Sequence, residues 1–239
     1  MFKRNKYNSQ TKPVSLITVS EKRNTVSEQY RTIRSNIRFS MVDRDLKTLV
    51  VTSAGPSEGK STTANNLAVV FADAGIRTLL VDADLRKPTV GLTWNLPNNH
   101  GLSDLLRDRT ARFSDYIQET SVERLSVLTS GPQPPNPSEL LGTNRMNEVI
   151  HDLSTKFDLV IFDTPPVATV TDAQILASRT DGTILVVRER QTDKVELETS
   201  KQLLEMAKAN IVGVVFNGTK GAQGGYYYEY NSKSQDQTE

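Results

Sequence analysis

Six short runs rich in Val, Ile and Leu recur along the chain, each followed by a turn and a longer stretch of helical pattern. This alternation narrows the fold more than any other feature. The runs are "LKTLVVTS" (46–53), "IRTLLVDA" (76–83), "RLSVLTS" (124–130), "FDLVIFDT" (157–164), "GTILVVRE" (182–189) and "NIVGVVFN" (210–217). Their nearly continuous apolar character, in place of strict alternation, is that of strands buried on both faces of a parallel sheet. Helical patterns at 60–74, 101–107, 112–119, 137–155, 172–179 and 192–209 fill the gaps. The expected fold class is therefore α/β, a doubly wound, mostly parallel sheet flanked by helices. A further helix is expected at 26–42, opened by a Ser27 cap, and the proline-rich "SGPQPPNPSEL" loop leads into a helix capped by Asn136 or Ser138.

A chain of 239 residues has the length of one fairly large domain. The expected organisation is a flexible basic arm over 1–25, one domain over 26–220, and a flexible tyrosine-rich tail over 221–239. A net charge of +1 supplies no field to draw in a nucleic-acid backbone, so nucleic acid is not an expected partner. There are no cysteines, which rules out disulfides, thiolate metal sites and a cysteine nucleophile. No apolar run approaches the roughly 20 residues that span a bilayer, and the opening "MFKRNKYNSQTK" lacks the apolar core of a signal peptide. His100 and His151 lack ligand spacing, and Tyr7, Tyr30 and Tyr116 read as structural or incidental.

Directly after the first run stands "TSAGPSEGKSTTANNLA". It fits a Walker A phosphate loop, with Ala54 in the place of the first glycine and Gly59, Lys60 and Ser61 in frame between a strand and a helix. Such a loop, here Gly55, Pro56, Ser57, Glu58 and Gly59, turns backbone N–H groups toward a β-phosphate, and the helix N-terminus adds its dipole. Lys60 would reach the β/γ oxygens, Ser61 would ligate Mg²⁺, and Thr62 would bond the α-phosphate. Asp82 and Asp84 end the second run and Asp163 ends the fourth. In a parallel sheet these strand ends share the edge that carries the loop. Carboxylates there hold a metal and its waters, so the expected cofactors are ATP and Mg²⁺.

These residues carry a close resemblance to the bacterial tyrosine kinases (BY-kinases) of capsule and exopolysaccharide systems, whose fold is that of the ParA and MinD ATPases. The marks are "SAGPSEGKST", the Walker A′ stretch "LLVDADLRKP", the Walker B stretch "LVIFDTPP", Glu28, Arg31 and Arg34 in the pattern ExxRxxR, and the terminal cluster Tyr226, Tyr227, Tyr228 and Tyr230. The resemblance implies a protein tyrosine kinase that autophosphorylates that cluster. It also implies subunit contacts in a ring through Glu28, Arg31 and Arg34, a transmembrane adaptor that activates the kinase, a cognate tyrosine phosphatase, and outside protein substrates. Localisation would be cytoplasmic, at the inner face of the membrane through the adaptor. ParA and MinD proteins carry a second lysine where this chain has Gly55, which points away from their ATP-sandwich dimer and from a DNA-partitioning role.

Phosphoryl transfer is mainly positioning and charge stabilisation. Asp82 is the first candidate for the base that takes the tyrosine proton, and Asp84 or Asp163 for the metal shell, with the roles interchangeable on sequence alone. Arg86 and Lys87 either stabilise phosphate charge or fix the loop, or are surface charges. Asn217 either contacts the adenine ring or makes a strand-end turn. Gly218 to Tyr226 spans up to roughly 28 Å when extended, so the cluster reaches an active site, and chain-closure cost favours a neighbouring subunit's site. The rival reading is an ATP-dependent switch or scaffold for polysaccharide assembly without tyrosine transfer.

Overall fold

The structure, a computed structural model, describes residues 11–41 and 45–219. Its centre is a seven-stranded sheet in the order β3-β4-β2-β5-β1-β6-β7. The six apolar runs supply β1 (Thr48–Ser53), β2 (Thr78–Asp82), β4 (Leu125–Leu128), β5 (Leu159–Asp163), β6 (Gly182–Arg188) and β7 (Ile211–Asn217). These six are parallel to one another. β1, β2 and β5 are buried along their whole length. The period of two sorts their residues into two cores. Val50, Leu79, Val81, Val160 and Phe162 face one core, while Leu49, Val51, Leu80 and Ile161 face the other.

Helices close both faces. α2 (Thr25–Ser40) and α3 (Lys60–Ala72) cover one, burying Tyr30, Ile37, Leu67, Val70 and Phe71. α5 (Leu102–Arg107), α7 (Asn144–Lys156) and α8 (Asp172–Ala177) cover the other with Leu105, Met146, Val149, Leu153 and Leu176. α9 (Lys194–Met206) lies between β6 and β7 in sequence and adds Leu204 to that second core.

Several sequence expectations change. The stretch 112–119, expected as a helix, makes one turn at 113–115 and then β3 (Ile117–Glu119), antiparallel to β4. Phe113, Tyr116 and Ile117 have helical spacing, but the open edge of β4 offers backbone partners that the helix would leave unused. The expected helix 137–155 is two, α6 (Pro137–Leu141) and α7, parted at Gly142. The cap of α2 is Asn24, whose side chain accepts from Val26 N; Ser27 is buried and donates to Ile17 O and Glu21 O instead. Asn136 occupies the cap position of α6 without a side-chain cap bond. The expected arm over 1–25 is packed from Val14 onward. α1 (Ile17–Ser20) sits there, Thr18 is buried, and Thr18 N and Oγ1 both donate to Asn66 Oδ1.

Candidate active site

The loop between β1 and α3 is built around backbone that a side chain would block. Gly59 has φ +100°, and the space where its Cβ would stand is taken by the amide of Asn217. That left-handed step favours glycine. It turns the chain into α3, whose first-turn amides at Lys60, Ser61 and Thr62 have no intrahelical partner. Ser57 also has positive φ. Glu58 is buried and folds inward: Oε2 accepts from Gly55 N at 2.8 Å, and Thr192 Oγ1 donates to Oε1. The segment after β6 latches the loop from outside, with Gln191 Nε2 donating to Pro56 O (2.9 Å) and Arg188 Nη1 to Ser57 O (3.4 Å). Asn217 Nδ2 donates to Glu58 O at 2.9 Å. Asn217 is thus at the loop, as a loop contact and a turn residue that also accepts from Gly218 N.

Lys60 stands at the centre of the charge arrangement. Its Nζ lies 2.9 Å from Asp84 Oδ2 and 3.5 Å from Asp163 Oδ1, and donates to Ser61 Oγ at 3.1 Å. Burial pulls the ammonium's pKa down, and the fields of Asp163, Asp84 and Asp82 outweigh it, so the net direction is up. Asp82 and Asp163 are register partners on β2 and β5, both fully buried. Two acids forced side by side resist ionisation. Burial first, then the Asp163 charge, pushes Asp82 up to about 8. Burial likewise raises Asp163, against the pull of Lys60 and Ser61.

The hydrogen bonds separate the three aspartates. Asp82 Oδ2 accepts from Thr89 N (3.0 Å) and Val90 N (2.9 Å), holding the start of α4 (Val90–Trp94). Asp84 Oδ1 accepts from Arg86 N and Lys87 N. Asp82 Oδ1 and both Asp163 oxygens are buried without a hydrogen bond, Asp163 Oδ1 having only the 3.5 Å ion pair with Lys60. Orphaned acceptors of this kind beside a lysine and a hydroxyl fit a divalent cation carried in with phosphates. Among the described residues no group of three or more His, Cys, Asp or Glu is arranged to hold a metal without such help. Asp82 Oδ1 and the Asp163 oxygens, with Ser61 Oγ beside them on Lys60, are the oxygens such a cation would meet, whereas Asp84 forms the shortest pair with Lys60.

Arg86 does not face this cluster. Its guanidinium forms a bidentate pair with buried Asp172 at 3.0 Å on each arm and donates to Ser138 Oγ, which in turn donates to Asp172 Oδ1. Its place is to fix the loop after β2, and Lys87 is exposed.

The chain matches the family model described as AAA domain over residues 46–211. It is 45% identical to tyrosine-protein kinase YwqD of Bacillus subtilis (strain 168), covering 92% of each chain. The kinase domain of the Escherichia coli tyrosine kinase ETK superposes with a TM-score of 0.83 at 33% identity, covering 95% of this chain and 89% of that one. This chain belongs to the bacterial tyrosine-protein kinases. The wider fold also recurs in the cell division ATPase MinD of Pyrococcus furiosus, at TM-score 0.61, 25% identity and 71% of each chain.

In the kinase, Glu28, Arg31 and Arg34 lie on α2. Arg31 pairs with Glu28 (2.5 Å) and donates to Lys22 O, and Arg34 donates to Val70 O near the end of α3. None of the three bonds to the loop or to the aspartates. Tyr226, Tyr227, Tyr228 and Tyr230 lie outside the described residues. Sequence reasoning missed Arg188, Gln191 and Thr192, which carry no motif. It also missed Asn65 and Asn66, for which a signal existed, two amides inside an otherwise apolar helix.

Proposed function

We propose that this kinase moves the γ-phosphoryl group of ATP onto the tyrosines of its own tail, Tyr226, Tyr227, Tyr228 and Tyr230, in a neighbouring subunit. The observation that carries the reading is one ammonium, Lys60, held among three aspartates at the strand ends, two of which, Asp82 and Asp163, keep orphaned oxygens beside a phosphate loop. Gly55 to Thr62 would cradle the nucleotide phosphates and Lys60 would meet the γ-phosphate. Ser61, Asp82 and Asp163 would hold Mg²⁺, which supplies charge neutralisation at the phosphates. Asn217 would border the base.

In the reaction the tyrosine oxygen forms the new P–O bond, the bond to the bridging oxygen of ADP breaks, and the phenol proton passes to a carboxylate. In the nucleotide-free protein burial and Asp163 raise the pKa of Asp82 to about 8; Mg²⁺ on this carboxylate would bring it back down and keep it ionised as a ligand. Asp84 would keep Lys60 in place. Several phosphates on the tail, each up to about −2 in charge, would repel one another and leave the sites, loosening a ring that Glu28, Arg31 and Arg34 help to close. The setting we propose is capsule or exopolysaccharide synthesis. A transmembrane adaptor would bring the kinase to the inner membrane face, a phosphatase would reset it, and outside protein substrates would follow. No helix among the described residues is long and apolar enough to cross a membrane.

A mixing experiment tests the transfer. A Lys60→Met chain with an intact tail is the acceptor, and a chain with all four tail tyrosines as Phe is the donor. Phosphate on the acceptor's tail supports transfer between subunits. An acceptor that stays bare while parent chains label their own tails at a rate independent of concentration contradicts it.

A further inference from the structure

Asn65 and Asn66 stand where an apolar helix would ordinarily carry Ala, Val or Leu, and both are completely buried. Asparagine is a poor helix former, and a buried carboxamide is costly unless its polar atoms are matched. Both are matched in the same way. Asn65 Nδ2 donates to Ser61 O at 2.7 Å, and Asn66 Nδ2 donates to Thr62 O at 2.8 Å. Each amide therefore grips the carbonyl one turn back, at the two successive residues that the proposed function assigns to metal and phosphate. Their other ends reach outside the helix. Asn66 Nδ2 also donates to Ser15 O and Oδ1 accepts from Thr18. Asn65 Oδ1 accepts from Trp94 Nε1 at 2.7 Å.

Trp94 closes a circuit. It is the last residue of α4, and the first amides of that five-residue helix are the ones that Asp82 Oδ2 holds. One continuous path thus runs from the Asp82 carboxylate through α4, the Trp94 N–H and the Asn65 carboxamide to the backbone of Ser61. The two ends of the path are the oxygen donors that the metal reading places on Mg²⁺.

We propose that Asn65 and Trp94 are positioning residues that set the spacing between Ser61 and Asp82, and so the affinity of the kinase for Mg²⁺ with its nucleotide. The proposal rests on the reading of Ser61 and Asp82 as metal-facing groups. The loop and Lys60, which serve the phosphates, are not on the path. The brace therefore acts on the metal and leaves metal-free nucleotide binding alone.

The test is calorimetry with ADP, first in EDTA and then with MgCl₂ titrated in, on the parent, Trp94→Phe and Asn65→Leu. Trp94→Phe keeps an aromatic ring, smaller by the fused pyrrole, and deletes the N–H; Asn65→Leu keeps the four-atom branched shape, is bulkier, and cuts both arms. With each bond contributing on the order of a factor of three to ten, the half-saturating Mg²⁺ concentration rises about threefold in Trp94→Phe and about tenfold in Asn65→Leu. Affinity for ADP in EDTA stays within about twofold. Adding Trp94→Phe to Asn65→Leu changes nothing further, since the circuit is already open. Folding of each variant is checked by thermal melting. A lowered melting temperature with an unchanged Mg²⁺ requirement overturns the proposal, because that is what a purely structural pair of bonds would give. A parent whose ADP affinity ignores Mg²⁺ overturns the metal reading itself, and the brace with it.

Discussion

Replacing Asp82 with Asn is expected to make the nucleotide-free kinase more stable at alkaline pH while removing its activity. Asp82 is fully buried beside Asp163, and its pKa is pushed up to about 8 from an unfolded value near 3.9. An acid raised in the fold is protonated in the native state and ionised in the unfolded chain through that window. The native state then binds the extra proton, and stability falls as pH rises through the folded pKa. Integrated from pH 6 to 9 for a pKa of about 8, the loss is roughly 2–3 kcal/mol. Asn avoids it. Its carboxamide oxygen can still accept from Thr89 N and Val90 N, as Asp82 Oδ2 does, and its NH₂ replaces the orphaned Oδ1 with a donor. Urea unfolding in chelator at pH 6, 7, 8 and 9 reads the difference. The stability of the parent relative to Asp82→Asn drops across the series by about that amount, and phosphoryl transfer by the variant falls by a factor on the order of 10² or more. Parallel curves for the two proteins would refute the placement of a protonated Asp82 beside Asp163.

Other consequences follow from the same geometry. Gly59→Ala forces a Cβ into a left-handed position occupied by the Asn217 amide, costing about 1–2 kcal/mol in thermal unfolding and weakening ADP binding at least about tenfold by calorimetry; unchanged binding would show that the loop adopts another course. Arg86→Ala leaves buried Asp172 without its cation and costs about 3 kcal/mol in urea unfolding. Adding Asp172→Asn recovers part of that loss, and a cost below about 1 kcal/mol would deny the clamp its role.

The legible part of this molecule was whatever the chain repeats or concentrates. Strands buried on both faces are apolar along most of their length, with no regular alternation, so β1, β2 and β5 announced themselves. The phosphate loop did likewise, because Gly59, Lys60 and Ser61 stand in a fixed frame. β3 was hidden, since three residues at a sheet edge owe their form to the free backbone of β4 more than to their own side chains. α4 was hidden because its anchor, the Asp82 carboxylate, lies eight residues before it in a strand. The three aspartates were found together, but their division of labour was not readable. Only the bonds show that Asp84 is engaged by Lys60 and that Asp82 and Asp163 keep free oxygens. Arg86 was ambiguous for the same reason, its partner Asp172 being 86 residues away. The latch of Arg188, Gln191 and Thr192 on the loop is a product of tertiary structure, using residue types that occur anywhere on a surface.

The most direct test of the account is to map phosphate by peptide mass spectrometry. The parent, Lys60→Met and the chain with all four tail tyrosines as Phe are each incubated with Mg·ATP and the cytoplasmic end of a candidate membrane adaptor. The account predicts phosphotyrosine within 226–230 in the parent and none in either variant's tail. Tail phosphate that persists in Lys60→Met, or parent phosphotyrosine confined to sites outside the tail, would contradict it.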